Sequence, residues 1–324
     1  MTAPDLSLAA AASPSPGGGP SDAMALIRRA DAEGFKDGGA KRLPQRAKFW
    51  LHAMRRRAEI GAILAGERGE AARGMLASNP KLLGFLVWPF LCASWSGGRN
   101  LEALVQHGRV VDAVRRTYRT DLHAQQEVAD LSAHYPGLRI VLDQPRWFLR
   151  EGFATVNAFW EDARLYSLSF AFGEEAGDRV LYLGSIQGRS LDGMNDVYRN
   201  MTKVMHGLRP RDLMIEIGRV IAQDAGCARM LGVADAHRYH HHPWFGGRDK
   251  DSTDYDEVWA DRDGEPVRDG RFWAMDTDFQ KRDLAEVKAK KRSLYKKRYA
   301  MQDEIVVAVR AGLASPRAVQ FRDY

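Results

Sequence analysis

Four of the nine histidines in this 324-residue chain lie close together, in the stretch HRYHHHPWFGG at residues 237–247. Neutral imidazole nitrogens bind transition metals, and two histidines with one carboxylate form a known type of iron(II) site. The residues predicted to form such a site are His237, His240, His241 and Asp235, and the ion would be Fe(II) or another divalent transition metal. The spacing matches no strong metal motif such as His-Glu-x-x-His. A polar loop, or acid/base catalysis by His237 alone, therefore stays open.

Three other short stretches carry residues that could bind or react with a ligand. Glu151 lies in the sequence REG, and its carboxylate could act as a general base, or form an ion pair with a neighbouring arginine. Gln187 and Gly188 end a predicted strand, where a glycine permits close approach of a ligand or simply a turn. Arg209 and Arg211 flank the start of a predicted helix, so they could bind phosphate oxygens there, or be exposed arginines beside a capped helix. No Ser-His-Asp signature, Walker loop or paired-cysteine site accompanies them.

The elements that must position these residues change character near residue 135. Residues 24–134 have apolar positions at helical spacing, which predicts a helical N-terminal region. Residues 135–310 mix short β-rich segments with helices, which predicts an α/β or α+β domain capped by the N-terminal helices, and 311–324 form a tail. Within that domain, 164–172 and 179–187 predict an antiparallel hairpin.

The second half of the predicted domain surrounds the histidine stretch. Two helices are predicted over 192–205 and 212–225, and a buried strand over 228–235 runs directly into the histidines. A basic helix from residue 283 onward closes the domain. The histidine stretch therefore lies just past the C-terminal end of a buried strand, where α/β sheets often place ligand sites.

The N-terminal sequence, the longest apolar run and the cysteines bear on the compartment. Residues 1–23 are rich in Ala, Pro and Gly without periodicity, which predicts a disordered lead-in rather than a secretory signal. The apolar run 82–95 is interrupted by Pro89 and is shorter than the roughly 20 residues of a membrane helix, so it predicts core. Cys92 and Cys227 lie in apolar runs and predict buried thiols. These features predict a cytoplasmic protein without a transmembrane segment.

A formal net charge of +6 raises the question of an anionic partner. Cations are concentrated in 45–66 and in 281–299, and the second run has nine Lys and Arg against two acids. No nucleic-acid-binding motif accompanies them, so nucleic acid is not the favoured partner. The apolar residues of the second run predict that one face of its helix docks on the domain: Leu284, Val287, Leu294, Tyr295 and Tyr299. A non-catalytic module that binds an acidic partner, RNA or a membrane surface through this helix stays an alternative to an enzyme.

Several stretches together resemble the VirK/YbjX family of bacterial proteins, whose biochemical activity is not generally established. In chain order they are REG (150–152), LYSLSFAF (165–172), LGSIQG (183–188), HGLRPRDLMIEI (206–217), LGVAD with the following His-Arg (231–238), YDEVW (255–259) and KKRSLYKKRYAMQDEI (290–305). They span roughly residues 90–310. The Ala/Pro/Gly lead-in and the histidines at 240–242 depart from the family's pattern, so any family-wide role falls on His237 rather than on its neighbours.

A weaker resemblance is to the GNAT acyltransferase fold, in the succession of an antiparallel hairpin, a strand, a helix and another strand. It implies a mixed, largely antiparallel sheet with flanking helices, and transfer of an acyl group from acyl-coenzyme A to an amine of a peptide or small molecule. The Gln-Gly pair and the two arginines named above would bind the carrier, and His237 or Glu151 would accept the amine proton. The chain departs from that fold because the Gln/Arg-x-x-Gly-x-Gly/Ala spacing is absent and an extra helix precedes the arginines.

Overall fold

The N-terminal third of the chain forms a group of short helices. The computed structural model of the protein describes residues 20–35, 43–114, 116–118, 124–190, 192–245, 254–279 and 281–321. Its first helices are α1 (Pro20–Gly34), α2 (Leu43–Arg55), α3 (Arg57–Leu64), α4 (Glu70–Ser78) and α5 (Gly97–Ala113), with a 3₁₀ helix at Pro80–Leu86. The predicted lead-in lies outside the described residues as far as residue 19. α5 begins after Ser96, whose hydroxyl accepts a hydrogen bond from the Arg99 backbone N–H at 3.2 Å and caps the helix.

The remaining elements build a sheet with helices on its faces. The strands are β1 (Gln125–Asp130), β2 (Leu138–Asp143), β3 (Ala154–Trp160), β4 (Ala163–Glu175), β5 (Asp178–Gly188), β6 (Arg229–Val233), β7 (Glu265–Val267), β8 (Phe272–Met275) and β9 (Arg317–Val319). The helices are α6 (Met194–Val204), α7 (Pro210–Asp224), α8 (Tyr255–Ala260) and α9 (Ala289–Ala314). The predicted hairpin, the two helices after it and the strand before the histidines are all present.

Within the described ranges, nine strands form one sheet in the order β7-β8-β6-β5-β4-β3-β2-β1-β9. Each neighbouring pair is antiparallel except β5 and β6, which pair in parallel. The chain reaches β6 from β5 through α6 and α7, as parallel neighbours require a long crossover connection. The predicted fold class is confirmed: a mixed, largely antiparallel sheet with flanking helices and an N-terminal helical region.

Two helices, α7 and α5, pack against the central strands of the sheet. α7 packs against β3, β4, β5 and β6 through a nearly continuous buried surface, and its Gly218 lets the helix approach Leu168 of β4. α5 packs against β4, where the buried His107 accepts a hydrogen bond at Nδ1 from the Phe172 backbone N–H at 3.1 Å. Burial lowers the pKa of His107 to about 3, so the imidazole is neutral.

Three boundaries differ from those predicted from the sequence. The predicted lead-in ends at residue 23, but α1 begins at Pro20. The predicted helical region extends to residue 134, but Gln125–Asp130 forms β1. The predicted tail begins at residue 311, but α9 continues to Ala314 and the chain then adds β9 to the sheet. The last two errors arise from tertiary pairing: β9 has only three residues and pairs with β1 nearly 200 residues away, and β1 is stabilised by pairing with both β2 and β9 rather than by a clear alternating pattern of its own.

The basic helix docks differently from the prediction. α9 begins at Ala289 and buries Met301, Ile305, Val309 and Leu313, from its middle to its end, against β1 and α7. Of the apolar residues that were predicted to dock, Val287 is buried, but Leu294 is exposed. The cation-rich first half of α9 is therefore mostly exposed, and the docking face lies further along the chain than predicted.

The two cysteines are confirmed as buried free thiols. Burial raises the pKa of both, that of Cys227 to about 12, so neither is a ready thiolate. Among the described helices, none combines the length and the apolarity that crossing a bilayer requires.

Gly312 tests the contact between α9 and β1. A Cβ at this position would lie 1.6 Å from the Val128 carbonyl oxygen, which is backbone and cannot move aside easily. We expect Gly312→Ala to lower the free energy of unfolding by about 2 kcal/mol or more. Gly74→Ala, in α4, is the matched control, because its Cβ would meet nothing within 4 Å and helix propensity should make it stabilising by about 0.5–1 kcal/mol. Urea unfolding measures both, and effects of the same sign would contradict this packing.

Candidate functional site

Buried polar side chains cross the centre of the sheet on one face. Strand pairing aligns them in two rows, one residue from each strand. The first row is Asp143, Thr155, Ser169 and Ser185, and the second is Asn157, Ser167 and Gln187, of which Gln187 alone is half-buried. Residues two apart on a strand share a face, so both rows point the same way. The opposite face carries apolar residues such as Leu168, which contact α7.

The polar rows are joined by hydrogen bonds. Thr155 and Ser169 hydroxyls lie 2.6 Å apart, and the Ser167 hydroxyl donates to the Asn157 Oδ1 at 2.7 Å. The Asn157 Nδ2 in turn donates to an Asp143 oxygen at 2.8 Å. Such a network in a buried position specifies one arrangement of its members, because each unpaired polar group would cost free energy.

Asp143, at one end of the polar rows, has a cationic partner. The Arg164 Nη2 lies 2.7 Å from its carboxylate, and both side chains are almost fully buried. This charge-assisted pair is the strong kind of hydrogen bond. The negative charge at this end of the rows is therefore balanced within the sheet.

Glu151, at the other end, lies in the loop before β3 and is only 3% exposed. The Gln187 amide donates to its Oε2 at 2.7 Å. Burial raises the pKa of Glu151 to about 7. The Ser185 hydroxyl, the Arg238 guanidinium, the Tyr239 hydroxyl and the Gln187 amide all act in the opposite direction, but together they do not offset the desolvation. Glu151 is thus a buried carboxyl that titrates near neutral pH.

The loop that carries Glu151 enters the sheet where β5 and β6 separate. Their parallel pairing ends at Leu183 and Gly232, although β5 continues to Gly188. Gly184 then meets the Glu151 backbone, since a Cβ there would lie 1.8 Å from the Glu151 carbonyl oxygen. Only glycine at this position permits that approach.

Tyr255, at the start of α8, fills the space beyond the separation. Its hydroxyl accepts the Ile186 backbone N–H at 2.9 Å, a group that a longer β6 would have paired. The Arg238 guanidinium lies 3.7 Å from the centre of the Tyr255 ring and donates to Asp235 at 3.1 Å. Burial, with the Glu151 charge, raises the pKa of the neighbouring Tyr239 to about 12, so that hydroxyl stays protonated.

A small cleft opens beside these groups. Its volume is about 180 Å³, and it is lined by Trp147, Phe148, Arg164, Leu165, Ser167, Gln187, Gly188 and Arg189. Trp147 is 52% exposed at its rim, with the Arg164 guanidinium 5.5 Å from its ring centre. Gln187 both lines the cleft and donates to Glu151, so its amide lies between the cleft and the buried carboxyl.

A larger groove lies between α6 and the start of α7. Its volume is about 570 Å³, and it is lined by Tyr166, Asn195, Tyr198, Arg199, Thr202, Arg209, Pro210 and Arg211. Tyr166 alternates with the cleft residues Leu165 and Ser167 along β4, so the groove and the cleft lie on opposite faces of that strand. They approach each other at the end of β5.

The two predicted phosphate-binding arginines both border this groove and are paired with acids. Arg209 lies 2.7 Å from Asp212 and 3.3 Å from Asp261, and Arg211 lies 2.8 Å from Asp261. Arg262 also contacts Asp212, at 2.5 Å. Three arginines thus face two aspartates, which leaves one net positive charge. Both alternatives from the sequence stay open, because Arg209 is exposed and Arg211 is partly buried beside a helix start, and both border a groove.

As far as Phe245, where the described residues pause, the histidine stretch lies in three short 3₁₀ turns that follow β6: Asp235–His237, Tyr239–His241 and Pro243–Phe245. The His241 Nε2 lies 3.9 Å from an Asp235 oxygen, and the buried His240 ring lies 4.2 Å from the His241 ring. The His237 carbonyl accepts a hydrogen bond from the Ala93 N–H at 2.7 Å. Among the residues that the structure describes, no three His, Cys, Asp or Glu side chains converge as metal ligands. The described residues therefore do not bring together a set of ligands for the predicted iron(II) site, and that site stays a prediction.

Sequence reasoning found some members of the site and missed others. Glu151 and Gln187 were predicted separately, and the structure brings them into contact. Arg238, Tyr239 and Tyr255 were missed as members. A usable signal was present, since three successive strands each carry polar residues two apart: Thr155 with Asn157, Ser167 with Ser169, and Ser185 with Gln187.

The pKa of Glu151 predicts an unusual dependence of stability on pH. A carboxyl whose pKa rises from 4.5 to about 7 on folding binds protons more tightly in the folded state, so stability falls as pH rises through that window. We expect Glu151→Gln to be more stable than the wild type by about 3 kcal/mol above that window. The difference should shrink toward zero well below pH 4.5, where Glu151 is protonated in both the folded and the unfolded state.

Chemical unfolding at a series of pH values measures this effect. Glu33→Gln, at an exposed position on α1, is the control and should show little change with pH. A Glu151→Gln difference that is the same at every pH would show that the carboxyl does not titrate near neutrality.

Comparisons with known proteins agree with the motifs. A family model described as "Protein of unknown function (DUF535)" matches residues 38–311. The chain is 26% identical over 217 residues to an uncharacterized protein of Haemophilus influenzae, covering 66% of this chain and 72% of that one. It is 31% identical over 157 residues to a second uncharacterized protein of that organism, covering 48% of this chain and half of the relative.

A further relative is the uncharacterized protein YbjX of Escherichia coli, 27% identical over 241 residues, or 71% of this chain and 72% of that one. No solved structure matches the chain significantly. Since the family model covers most of the sequence, the chain belongs to this family of unknown function, the VirK/YbjX family of bacterial proteins.

Proposed function

We propose that the protein transfers an acyl group from acyl-coenzyme A to an amine of a peptide or small molecule, with Glu151 as the general base. The observation that carries the proposal is the buried Glu151 carboxyl, with a pKa of about 7, where the parallel strands β5 and β6 separate. Open α/β sheets bind ligands beyond the carboxyl ends of strands where neighbouring strands part. A base whose pKa lies near the working pH is also the most effective one.

The order of elements supports this reaction class. An antiparallel hairpin, β4 and β5, is followed by helices and then by β6, which pairs in parallel with the second strand of the hairpin. This is the succession on which the likeness to acyltransferases of the GNAT fold depends. The likeness is one of arrangement and is offered as support for the proposal only.

Glu151 would take the proton that the amine loses as it attacks the acyl carbonyl carbon. At neutral pH about half of the Glu151 population carries the charge needed for this. Tyr239 stays protonated, so its hydroxyl stabilises the carboxylate rather than competing for the proton. Because the Gln187 amide stands between the cleft and the carboxylate, the proton would pass through a water molecule or after that amide turns aside. His237 is the weaker candidate for the base, since the contact that ties it into the fold is made by its backbone carbonyl.

The groove beside Arg209 and Arg211 is the candidate site for the carrier's phosphates. Its volume of about 570 Å³ falls in the range of ligand sites, and arginine is well suited to phosphate oxygens. Acyl-coenzyme A would supply an activated thioester, whose C–S bond would break as the new C–N bond forms, and the coenzyme A thiolate would leave and take up a proton from solvent. The carrier would need a long, flexible arm, because the groove and the cleft lie on opposite faces of β4 and meet only near Gly188. A phosphate there would also compete with Asp261 for both guanidinium groups.

Isothermal titration with acetyl- and longer acyl-coenzyme A tests the proposal. The wild type should bind one of these carriers, and Arg209→Ala should weaken binding about tenfold or more, because a charge-assisted phosphate contact is lost. Arg29→Ala, an exposed arginine on α1, should bind as the wild type does. Glu151→Gln should bind the carrier normally but release free coenzyme A to amine acceptors about 100-fold more slowly.

Two results would contradict the proposal. One is the absence of a binding heat for every acyl-coenzyme A tested with the wild-type protein. The other is that Arg209→Ala binds the carrier as tightly as the wild type does and that Glu151→Gln reacts as fast as the wild type does.

A further inference from the structure

Helix α2 presents apolar side chains to solvent. Leu43 is 58% exposed, Leu51 is 50% exposed and Met54 is 42% exposed. These three positions, with the exposed Ala47 between them, follow helical spacing along one side of α2. They account for three of the seven large exposed hydrophobic residues among those that the structure describes, although α2 has only 13 residues. We call these four residues the apolar stripe.

The rest of α2 holds the helix in place, so the apolar stripe is not a misplaced core face. Phe49 and Ala53 are fully buried against the other N-terminal helices. Arg46 forms an ion pair with Asp31 of α1 at 2.6 Å. The helix thus already has its packing partners on one side, and the apolar stripe faces outward on the other.

Cations accompany the apolar stripe without any acid. Residues 43–57 contain five Lys and Arg and no Asp or Glu. Two of the five are held by acids, Arg46 by Asp31 and Arg56 by Glu59 at 3.1 Å. The other three are exposed: Lys48, Arg55 and Arg57. Among the residues that the structure describes, these three cations form no ion pair, so the exposed apolar side chains are edged by positive charge.

We infer that α2 lies on an anionic lipid surface, with the apolar stripe in the interfacial region and Lys48, Arg55 and Arg57 at the headgroups. A basic helix with an exposed apolar face is the physical pattern of an interfacial helix. A protein partner fits less well, because the few side chains of the stripe fall far short of the roughly 800 Å² per partner that a specific protein interface buries. Anionic headgroups complement the three cations, each of which strengthens binding about fivefold.

Co-sedimentation of the full chain with vesicles tests the inference. Vesicles of phosphatidylcholine with about one-third phosphatidylglycerol should retain the protein, and vesicles of phosphatidylcholine alone should retain far less. Leu51→Ser with Met54→Ser should weaken retention about tenfold or more. Lys48→Glu with Arg55→Glu should also weaken retention at low salt. Retention of the wild type itself should fall as the salt concentration is raised. All four side chains are exposed, so thermal stability should be nearly unchanged.

Matched controls lie on α9. Val307 is 68% exposed, so Val307→Ser removes an exposed apolar side chain elsewhere and should leave retention unchanged. Lys296→Glu with Lys297→Glu removes exposed charge from the other cation-rich run and should reduce retention less than the α2 charge variant. Leu51→Cys offers a second readout, because Cys92 and Cys227 are buried and a polarity-sensitive dye would label position 51. Its emission should shift to the blue only with the anionic vesicles.

Four results would overturn the inference. They are no retention by anionic vesicles, equal retention by both vesicle types, retention that survives the Leu51→Ser/Met54→Ser change, and loss of retention with the α9 charge variant alone. A wild-type dimer in solution that becomes a monomer with Leu51→Ser/Met54→Ser would also overturn it, since a second copy of the chain would then cover the apolar stripe.

Discussion

The short parallel pairing of β5 with β6 is the constraint on which the rest of the site depends. The two strands pair over four residues and then part, so the backbone groups beyond must find other partners. The Ile186 N–H finds the Tyr255 hydroxyl, and the chain before β3 enters against Gly184. The N-terminal region takes part as well, since the Leu91 N–H donates to the Arg150 carbonyl at 2.7 Å. The N-terminal helices and the sheet are thus joined at the place where Glu151 is buried.

The polar rows end in two carboxylates with different surroundings. Asp143 has the buried Arg164 at 2.7 Å and the Asn157 amide at 2.8 Å. Glu151 has Arg238 nearby, but that guanidinium also donates to Asp235 and stacks on the Tyr255 ring. Desolvation therefore outweighs the attraction at Glu151, and its pKa rises to about 7. Carboxyls tuned in this way are typical of functional sites, and structural ion-pair networks such as that of Asp143 are the common alternative.

Local pattern in the sequence was enough for the elements that surround the site. The β4–β5 hairpin, α6, α7 and β6 were all predicted, because each has strong periodicity and clear turn or capping signals. β1 and β9 were missed, since β9 has only three residues and pairs with β1 across most of the chain, and β1 depends on its pairing with β2 and β9 rather than on a pattern of its own. The docking face of α9 was misplaced because apolar residues occur along its whole length and only tertiary contacts select Met301 and Ile305 over Leu294. The contact of Glu151 with Gln187 depends on strand register, which a single sequence does not contain.

The ionisation of Glu151 is the central claim, and it can be observed directly. Infrared spectra of protein labelled with ¹³C at the glutamate carboxyls, taken as the difference from the Glu151→Gln variant, isolate the signal of this one group. The protonated-carboxyl band should persist well above the ordinary glutamic acid pKa of 4.5 and be lost with a midpoint of about 7. A band that is lost near pH 4.5, together with the other glutamates, would contradict the account.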